Sequence, residues 1–203
     1  MARVPYRSAE DLDAADRELM DPPINLFRAL ANSPGALRPL RGLGRWARWG
    51  SSVDPRLREL AILTVGLLTG SRYEYSHHVR LALSFGASER DIVEINSLLG
   101  GEPTEFSTLD RVVIDAAREL TTDGSLNYRS WNYLEAALGL EPAVDLLVII
   151  CHYNSVVRLL AALDIEVEPE YESIAVPNPP ISLANVAKQS DRSSNRALGE
   201  RSA

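Results

Sequence analysis

Cysteine and histidine are scarce in this chain, and their scarcity limits its chemistry. The 203 residues include one cysteine, Cys151, so no disulfide can form within the chain. A reducing, cytoplasmic setting is therefore predicted. Because Cys151 lies in the apolar run "VIICHY", it is interpreted as a core cysteine. Imidazole chemistry is confined to three positions, His77, His78 and His152.

An excess of basic residues is also missing. The chain has 21 Lys and Arg against 28 Asp and Glu, a formal net charge of −7. Binding to nucleic acid needs a basic surface, so no nucleic-acid partner is predicted. The longest apolar runs, 60–68 and 146–151, are too short to span a bilayer, and no membrane partner is predicted. The polar N-terminus lacks the apolar segment of a signal peptide.

Helical periodicity dominates the remaining sequence. Capping residues, apolar spacing and Gly or Pro breaks predict helices at 24–34, 55–68, 73–85, 88–99, 107–122, 128–139 and 142–163. Residues 36–50 favour a helix broken by two glycines, and 164–176 favour an extended surface segment over a strand. We expect an all-α bundle of about six to eight helices. It occupies 23–170, between an extended arm (1–22) and an extended or disordered tail (171–203).

The adjacent histidines His77 and His78 point in different directions on the predicted helix 73–85. At about 100° per residue with Glu74 at zero, His78 falls at about 40°, inside the apolar arc. His77 falls at about 300°, among the polar residues. Glu74 and His78 are four residues apart, so their side chains can meet. A buried histidine paired with a carboxylate is what a proton-transfer site needs, although such a pair can also be structural.

A second acid is predicted to join this pair. Glu59 is followed on its own helix face by Ile62, Leu63 and Gly66, and a carboxylate on an apolar face is costly to bury unless it is paired. A histidine on the next helix of a helical hairpin is a natural partner, so Glu59, Glu74 and His78 are predicted to converge.

The last helix contributes two further polar residues of interest. His152 lies two turns after Asp145 and is interpreted as its structural or interfacial partner. Tyr153 is a candidate to line a pocket, unless it is simply a buried tyrosine with its hydrogen bond satisfied.

The segment 58–95, "RELAILTVGLLTGSRYEYSHHVRLALSFGASERDIVEI", resembles the core of the carboxymuconolactone decarboxylase family, which is related to alkylhydroperoxidase D. The shared pattern is an Arg-Glu-Leu helix, a Gly-Ser break, a Tyr-Glu-aromatic-x-x-His helix and a short acidic helix. The resemblance extends more loosely over residues 20–170. It implies an alkylhydroperoxidase D-like helical bundle that assembles as a homotrimer or homohexamer.

Within this superfamily, the peroxidase branch uses a Cys-x-x-Cys pair, whose positions correspond here to Ser71 and Glu74. Neither residue can form a disulfide or a sulfenic acid, so thiol peroxidase activity is not expected. The decarboxylase branch carries Glu and His where this chain has Glu74 and His78. That resemblance implies a cofactor-independent, metal-free enzyme with His78 as the acid/base and with Glu74 and Glu59 setting its orientation and pKa.

The implied substrate is a small carboxylated lactone or enol, which loses its carboxylate as electrons move into a conjugated carbonyl. Its carboxylate needs a cation, and Arg58, Arg72, Arg80 and His77 are near in sequence. The same residues are also compatible with double-bond isomerisation and with lactone opening. Two further hypotheses are a metal site formed by two carboxylates and an imidazole, and a non-catalytic oligomeric binding protein.

Overall fold

The computed structural model describes residues 1–178 and contains eight α-helices and no β-strand within that range. The all-α prediction is thereby confirmed. The helices are α1 (Asn25–Leu30), α2 (Pro34–Trp49), α3 (Pro55–Thr69), α4 (Arg72–Ser84), α5 (Glu89–Leu99), α6 (Thr108–Thr122), α7 (Tyr128–Leu138) and α8 (Leu140–Leu163).

Helix α3 is the centre of the molecule. It begins at the N-cap Asp54, whose carboxylate accepts a hydrogen bond from the backbone N–H of Leu57, and Pro55 occupies the first turn. Every residue from Leu57 to Leu68 is buried, because α4, α5, α6 and α8 all pack against this helix. Polar side chains on α3 therefore have no access to bulk water and must find partners inside the protein.

The break predicted within residues 36–50 is wrong. Helix α2 runs without interruption from Pro34 to Trp49, through Gly42 and Gly44. A glycine costs a helix interior up to about 1 kcal/mol relative to alanine. Here the burial of Leu37 and Ala47 holds the helix against the rest of the protein, and tertiary packing outweighs local propensity.

Segments at both ends pack onto the bundle. Short 3₁₀ turns lie at Ala9–Asp11, Arg17–Met20 and Pro169–Tyr171, and 164–176 contains no strand. The backbone N–H of Arg3 donates to the carbonyl of Leu163, which ties the N-terminal segment to the end of α8. The predicted division at residues 22 and 170 stays a prediction, and most of the predicted tail (179–203) lies outside the described residues.

Helix α8 is long and apolar enough to cross a membrane by length and composition alone. Its 24 residues include an 18-residue window with mean hydropathy 1.9. Half of that window is buried within the protein, where α8 packs against α3, α6 and α7. Burial of this kind is typical of the core helix of a helical bundle.

Candidate functional site

Helices α3 and α4 form a hairpin that brings the three predicted residues together. Gly66 of α3 permits the close contact, since a Cβ at this position would lie 3.1 Å from the backbone nitrogen of Tyr75. The N-cap of helix α4 is Ser71, whose hydroxyl accepts a hydrogen bond from the backbone N–H of Glu74. The hairpin thus turns Glu74 and His78 towards Glu59 on α3.

His78 lies between two carboxylates. Its Nδ1 is 2.7 Å from Oε2 of Glu59, and its Nε2 is 2.9 Å from Oε1 of Glu74. The ring packs edge-on against Tyr153, with 4.9 Å between centroids. All four side chains are buried. Since both ring nitrogens face an acceptor, the arrangement favours the doubly protonated imidazolium, in which both are donors.

Charge attraction decides the protonation of this group. Burial alone lowers the pKa of His78, but attraction to Glu59 and Glu74 outweighs burial and raises that pKa to about 9. Burial likewise opposes ionisation of Glu59, yet the positive charges of His78 and Arg58 hold the pKa of the Glu59 carboxyl below its usual range. The cluster therefore holds an imidazolium at neutral pH.

Arg58 completes the pairing of Glu59 rather than facing a substrate. Its Nε donates to Oε1 of Glu59 at 3.1 Å, and its Nη1 donates to the backbone carbonyl of Arg48 at 3.0 Å. The guanidinium also lies over the ring of Phe85, 4.6 Å from its centroid. Arg58 is buried and is not among the residues lining the adjacent cavity, so the structure gives no support to its predicted contact with substrate.

A cavity of about 470 Å³ opens beside Glu74 and His78. This volume is typical of sites for small organic molecules. The predicted substrate-binding residues His77 and Tyr153 both line it. Burial raises the pKa of the Tyr153 hydroxyl, so this group is a neutral donor at neutral pH. No hydrogen-bond partner for it is found among residues 1–178, and the hydroxyl is free to bind a ligand there.

His77 is not the solvated residue that the helical wheel predicts. Its Nε2 lies 2.6 Å from Oε2 of Glu168, and its ring is stacked between those of Tyr73 and Tyr171. Glu168 also accepts from the Tyr73 hydroxyl and from the backbone N–H of Asn25. Burial opposes ionisation of Glu168, but these donors lower the pKa of its carboxyl to about 2. Glu168 and Tyr171, which follow α8 in the chain, therefore cover the face of α4 that a helical wheel of α4 alone predicts to be exposed.

Helix α8 contributes a residue to the cavity that sequence reasoning placed elsewhere. The predicted pairing of His152 with Asp145 is wrong, because Asp145 accepts from the backbone and hydroxyl of Ser52. His152 instead lines the cavity. Burial lowers the pKa of His152, so it is neutral where His78 is charged.

Helix α2 supplies three cavity residues that the sequence analysis missed, Arg41, Arg45 and Arg48. Their spacing of four and three residues puts them on one helix face, a signal present in "RGLGRWARW". This spacing was overlooked because the helix was predicted to break at the two glycines, and residues on either side of a break do not share a helix face. Arg72 and Arg80 lie outside the cavity lining and donate to backbone carbonyls of Glu172 and Glu170.

The side chains of the site are not arranged as metal ligands. Within the described part of the chain, no group of three or more His, Cys, Asp or Glu residues is arranged to hold a metal ion. In the Glu59–His78–Glu74 cluster, both imidazole nitrogens already face carboxylates, which leaves no ring lone pair for a ligand bond.

Comparison with known proteins agrees with this architecture. Residues 34–118 match the model of the carboxymuconolactone decarboxylase family, a range that runs from the start of α2 into α6 and includes the whole Glu59–Glu74–His78 cluster. Over this segment, which is less than half of the chain, the sequence is similar to that family. No curated protein sequence matches the chain.

Two solved structures share the fold at low sequence identity. One is the alkylhydroperoxidase AhpD core of an uncharacterized peroxidase-related protein from Ralstonia eutropha JMP134, with 16% identity and a TM-score of 0.63 over 84% of this chain and 94% of that one. The other is a cysteine-to-alanine variant of the debrominase Bmp8 in complex with 2,3,4-tribromopyrrole, with 16% identity and a TM-score of 0.61 over 83% and 92%. The all-α, alkylhydroperoxidase D-like fold is thus confirmed.

Proposed function

We propose that this protein is a cofactor-independent enzyme that transfers protons to and from carbon, of the decarboxylase type, acting on a small carboxylated lactone or enol. The observation that carries the proposal is His78, held as an imidazolium between Glu59 and Glu74 in the wall of a cavity. A proton donor with its pKa above neutrality and an adjacent carboxylate form the acid–base pair that such a reaction requires.

Each residue then has a defined role. When the substrate's C–CO₂⁻ bond breaks, its electron pair moves into the conjugated carbonyl and carbon dioxide leaves. The resulting enolate takes a proton at carbon through Glu74, which lines the cavity and receives that proton from Nε2 of His78; His78 is then reprotonated from water. Tyr153 presents a neutral hydroxyl that can donate to the enolate oxygen, where negative charge develops. Glu59 and Arg58 do not touch the substrate and act by positioning His78.

Thiol chemistry receives less support from the residues present. The interpretation of Cys151 as a core cysteine is wrong, because its side chain is exposed on α8. It is also not among the residues that line the cavity. The superfamily positions of the peroxidase cysteines carry Ser71 and Glu74. The debromination named for one structural neighbour is therefore not extended to this chain.

The proposal can be tested by following carbon dioxide release and solvent deuterium incorporation with a panel of carboxylated γ-lactones and β-keto acids. A substrate turned over by the wild type should be turned over about 10² to 10⁴ times more slowly by His78→Gln and Glu74→Gln. Glu102→Gln, which changes an exposed carboxylate, is the matched control and should keep the wild-type rate.

The outcomes separate the related functions. Deuterium exchange into substrate without release of carbon dioxide would assign a double-bond isomerase. Turnover that survives in both His78→Gln and Glu74→Gln would refute the acid–base mechanism. Neither exchange nor release across the panel would favour the non-catalytic binding protein.

A further inference from the structure

One wall of the cavity is basic, in a chain whose net charge is −7. Helix α2 places Arg41, Arg45 and Arg48 along this wall. Arg41 is held by the backbone carbonyl of Asp21. Arg45 is exposed and Arg48 is half-buried, and neither side chain has a carboxylate partner among residues 1–178. Arg38, on the same helix, is by contrast paired with Asp16.

His152 joins this wall from α8. It is only 8% exposed, and its ring forms no hydrogen bond with any residue of the described chain. A Cβ at Gly44 would lie 3.5 Å from its Nε2, so this nitrogen reaches the stretch of α2 between Arg41 and Arg48. Neither ring nitrogen of His152 is among the fully buried polar atoms that lack a partner, so the ring can reach a group bound in the cavity.

The balance of charge indicates what that occupant is. The cavity is lined by the three α2 arginines and the imidazolium of His78, against two carboxylates, Asp21 and Glu74. An anion would compensate the excess of positive charge. A guanidinium donates two parallel N–H groups, a geometry that matches a planar carboxylate, and a neutral imidazole can add one more N–H.

We propose that Arg45, Arg48 and His152 form a binding site for the carboxylate of a small planar organic acid, in the cavity that Glu74 also lines. The site rests on the proposed function, because it assigns the group that holds the anionic part of the substrate. Of the four cations suggested by the sequence alone, Arg58 and His77 are already paired with Glu59 and Glu168. The other two, Arg72 and Arg80, lie outside the cavity lining. The α2 arginines take their place.

Equilibrium binding of benzoate, measured by titration calorimetry, tests the site directly. Benzoate should bind the wild type at least tenfold more tightly than benzamide, its uncharged analogue of similar shape. Arg45→Gln and Arg48→Gln should each weaken benzoate binding about tenfold and leave benzamide unaffected. Arg129→Gln, which removes an exposed arginine of α7, should bind benzoate as the wild type does.

A steric variant tests His152 without removing any charge. Gly44→Ala adds a methyl group in contact distance of His152 Nε2 and favours the α2 helix, so the variant should fold at least as stably as the wild type. It should nonetheless bind benzoate several-fold more weakly. Unchanged affinity in both Gly44→Ala and His152→Gln would remove His152 from the site.

The proposal as a whole is overturned if benzoate does not bind, or if the Arg45→Gln/Arg48→Gln double variant binds it as tightly as the wild type. These measurements involve no turnover. A mechanism that fails because His78→Gln remains active would leave the benzoate result standing. Conversely, loss of the carboxylate site would not change the result for His78→Gln.

Discussion

At the scale of single residues, spacing along one helix was enough to predict the central contact. Glu74 and His78 are neighbours because they are four residues apart, and Glu59 joins them because an acid on an apolar face needs a partner. The environment of His77 could not be predicted in this way. Its partner Glu168 lies 91 residues further along the chain, and no local pattern connects the two.

The protonation of His78 leads to a prediction about stability and pH. The pKa of His78 is about 9 in the folded protein and about 6.5 in an unfolded chain. A raised folded-state pKa stabilises fully below pH 6.5, and that stabilisation is lost as pH rises through 9. We expect the free energy of unfolding, measured in urea, to fall by roughly 3 kcal/mol between pH 6.5 and 9.

Two variants separate His78 from the other titrating groups. In His78→Gln, most of the decline in unfolding free energy between pH 6.5 and 9 should disappear; only the exposed N-terminal amine, whose pKa is raised by its hydrogen bond with Glu166, still contributes in this range. His152→Gln should retain it, because burial lowers the pKa of His152 and this residue loses its proton below the pH range used. Equal pH dependence in wild type and His78→Gln would contradict the assignment of an imidazolium.

At the scale of helices, seven of the eight segments were predictable from caps and apolar periodicity, whereas α2 was not recognised as continuous. Glycines explain both this error and one omission. In α2 they suggested breaks, although Gly42 and Gly44 are within the helix. In α3, no local sequence pattern indicates that Gly66 is needed. Glycine is required there because the backbone of α4 approaches α3 closely at this position.

The contact at Gly66 gives a prediction for the α3–α4 hairpin. Gly66→Ala would place a methyl group 3.1 Å from the backbone nitrogen of Tyr75, so the two helices must move apart by a few tenths of an ångström. We expect a loss of about 1–3 kcal/mol in unfolding free energy. As α4 moves, the contacts of His78 with Glu59 lengthen and the pKa of His78, followed by nuclear magnetic resonance, should fall.

Gly42→Ala is the matched control for this experiment. Gly42 is also within a helix, but nothing lies within 4 Å of a Cβ added there. The substitution should therefore stabilise the protein by up to about 1 kcal/mol through helix propensity. If Gly66→Ala stabilises the protein to the same extent, the close packing of α3 against α4 is wrong.

At the scale of the whole molecule, the sequence predicts less about charge distribution and packing than it does about the positions of single helices. The net negative charge of the chain does not reveal the basic wall of its cavity. Net charge is a sum over all residues, whereas folding decides which charged residues lie next to one another. The same limit applies to the segments outside the bundle. Their apolar residues are too widely spaced to form a pattern, although Leu12, Leu19 and Met20 are buried. The predicted homotrimer or homohexamer stays a prediction.

The N-terminal segment provides the last prediction. It was predicted as an arm, yet Leu12, Leu19 and Met20 pack with Ala31 and Leu37 in a cluster of their own. Burying each large side chain contributes about 1.5–3 kcal/mol, so deletion of residues 2–21 removes an amount comparable to the total stability of a typical domain. We expect the deletion variant to melt far below the wild type or not to fold.

Point variants make that expectation falsifiable even if the deletion variant cannot be purified. Leu19→Ala should lower the unfolding free energy by about 2–5 kcal/mol, because it leaves a cavity beneath α2. Val93→Ala, which shortens a side chain that is 65% exposed, should change it by less than about 0.5 kcal/mol. If Leu19→Ala behaves like Val93→Ala, the segment is a dispensable arm. A large difference between them makes residues 1–22 an integral part of the fold, since the same segment supplies Asp21 and Pro22 to the cavity.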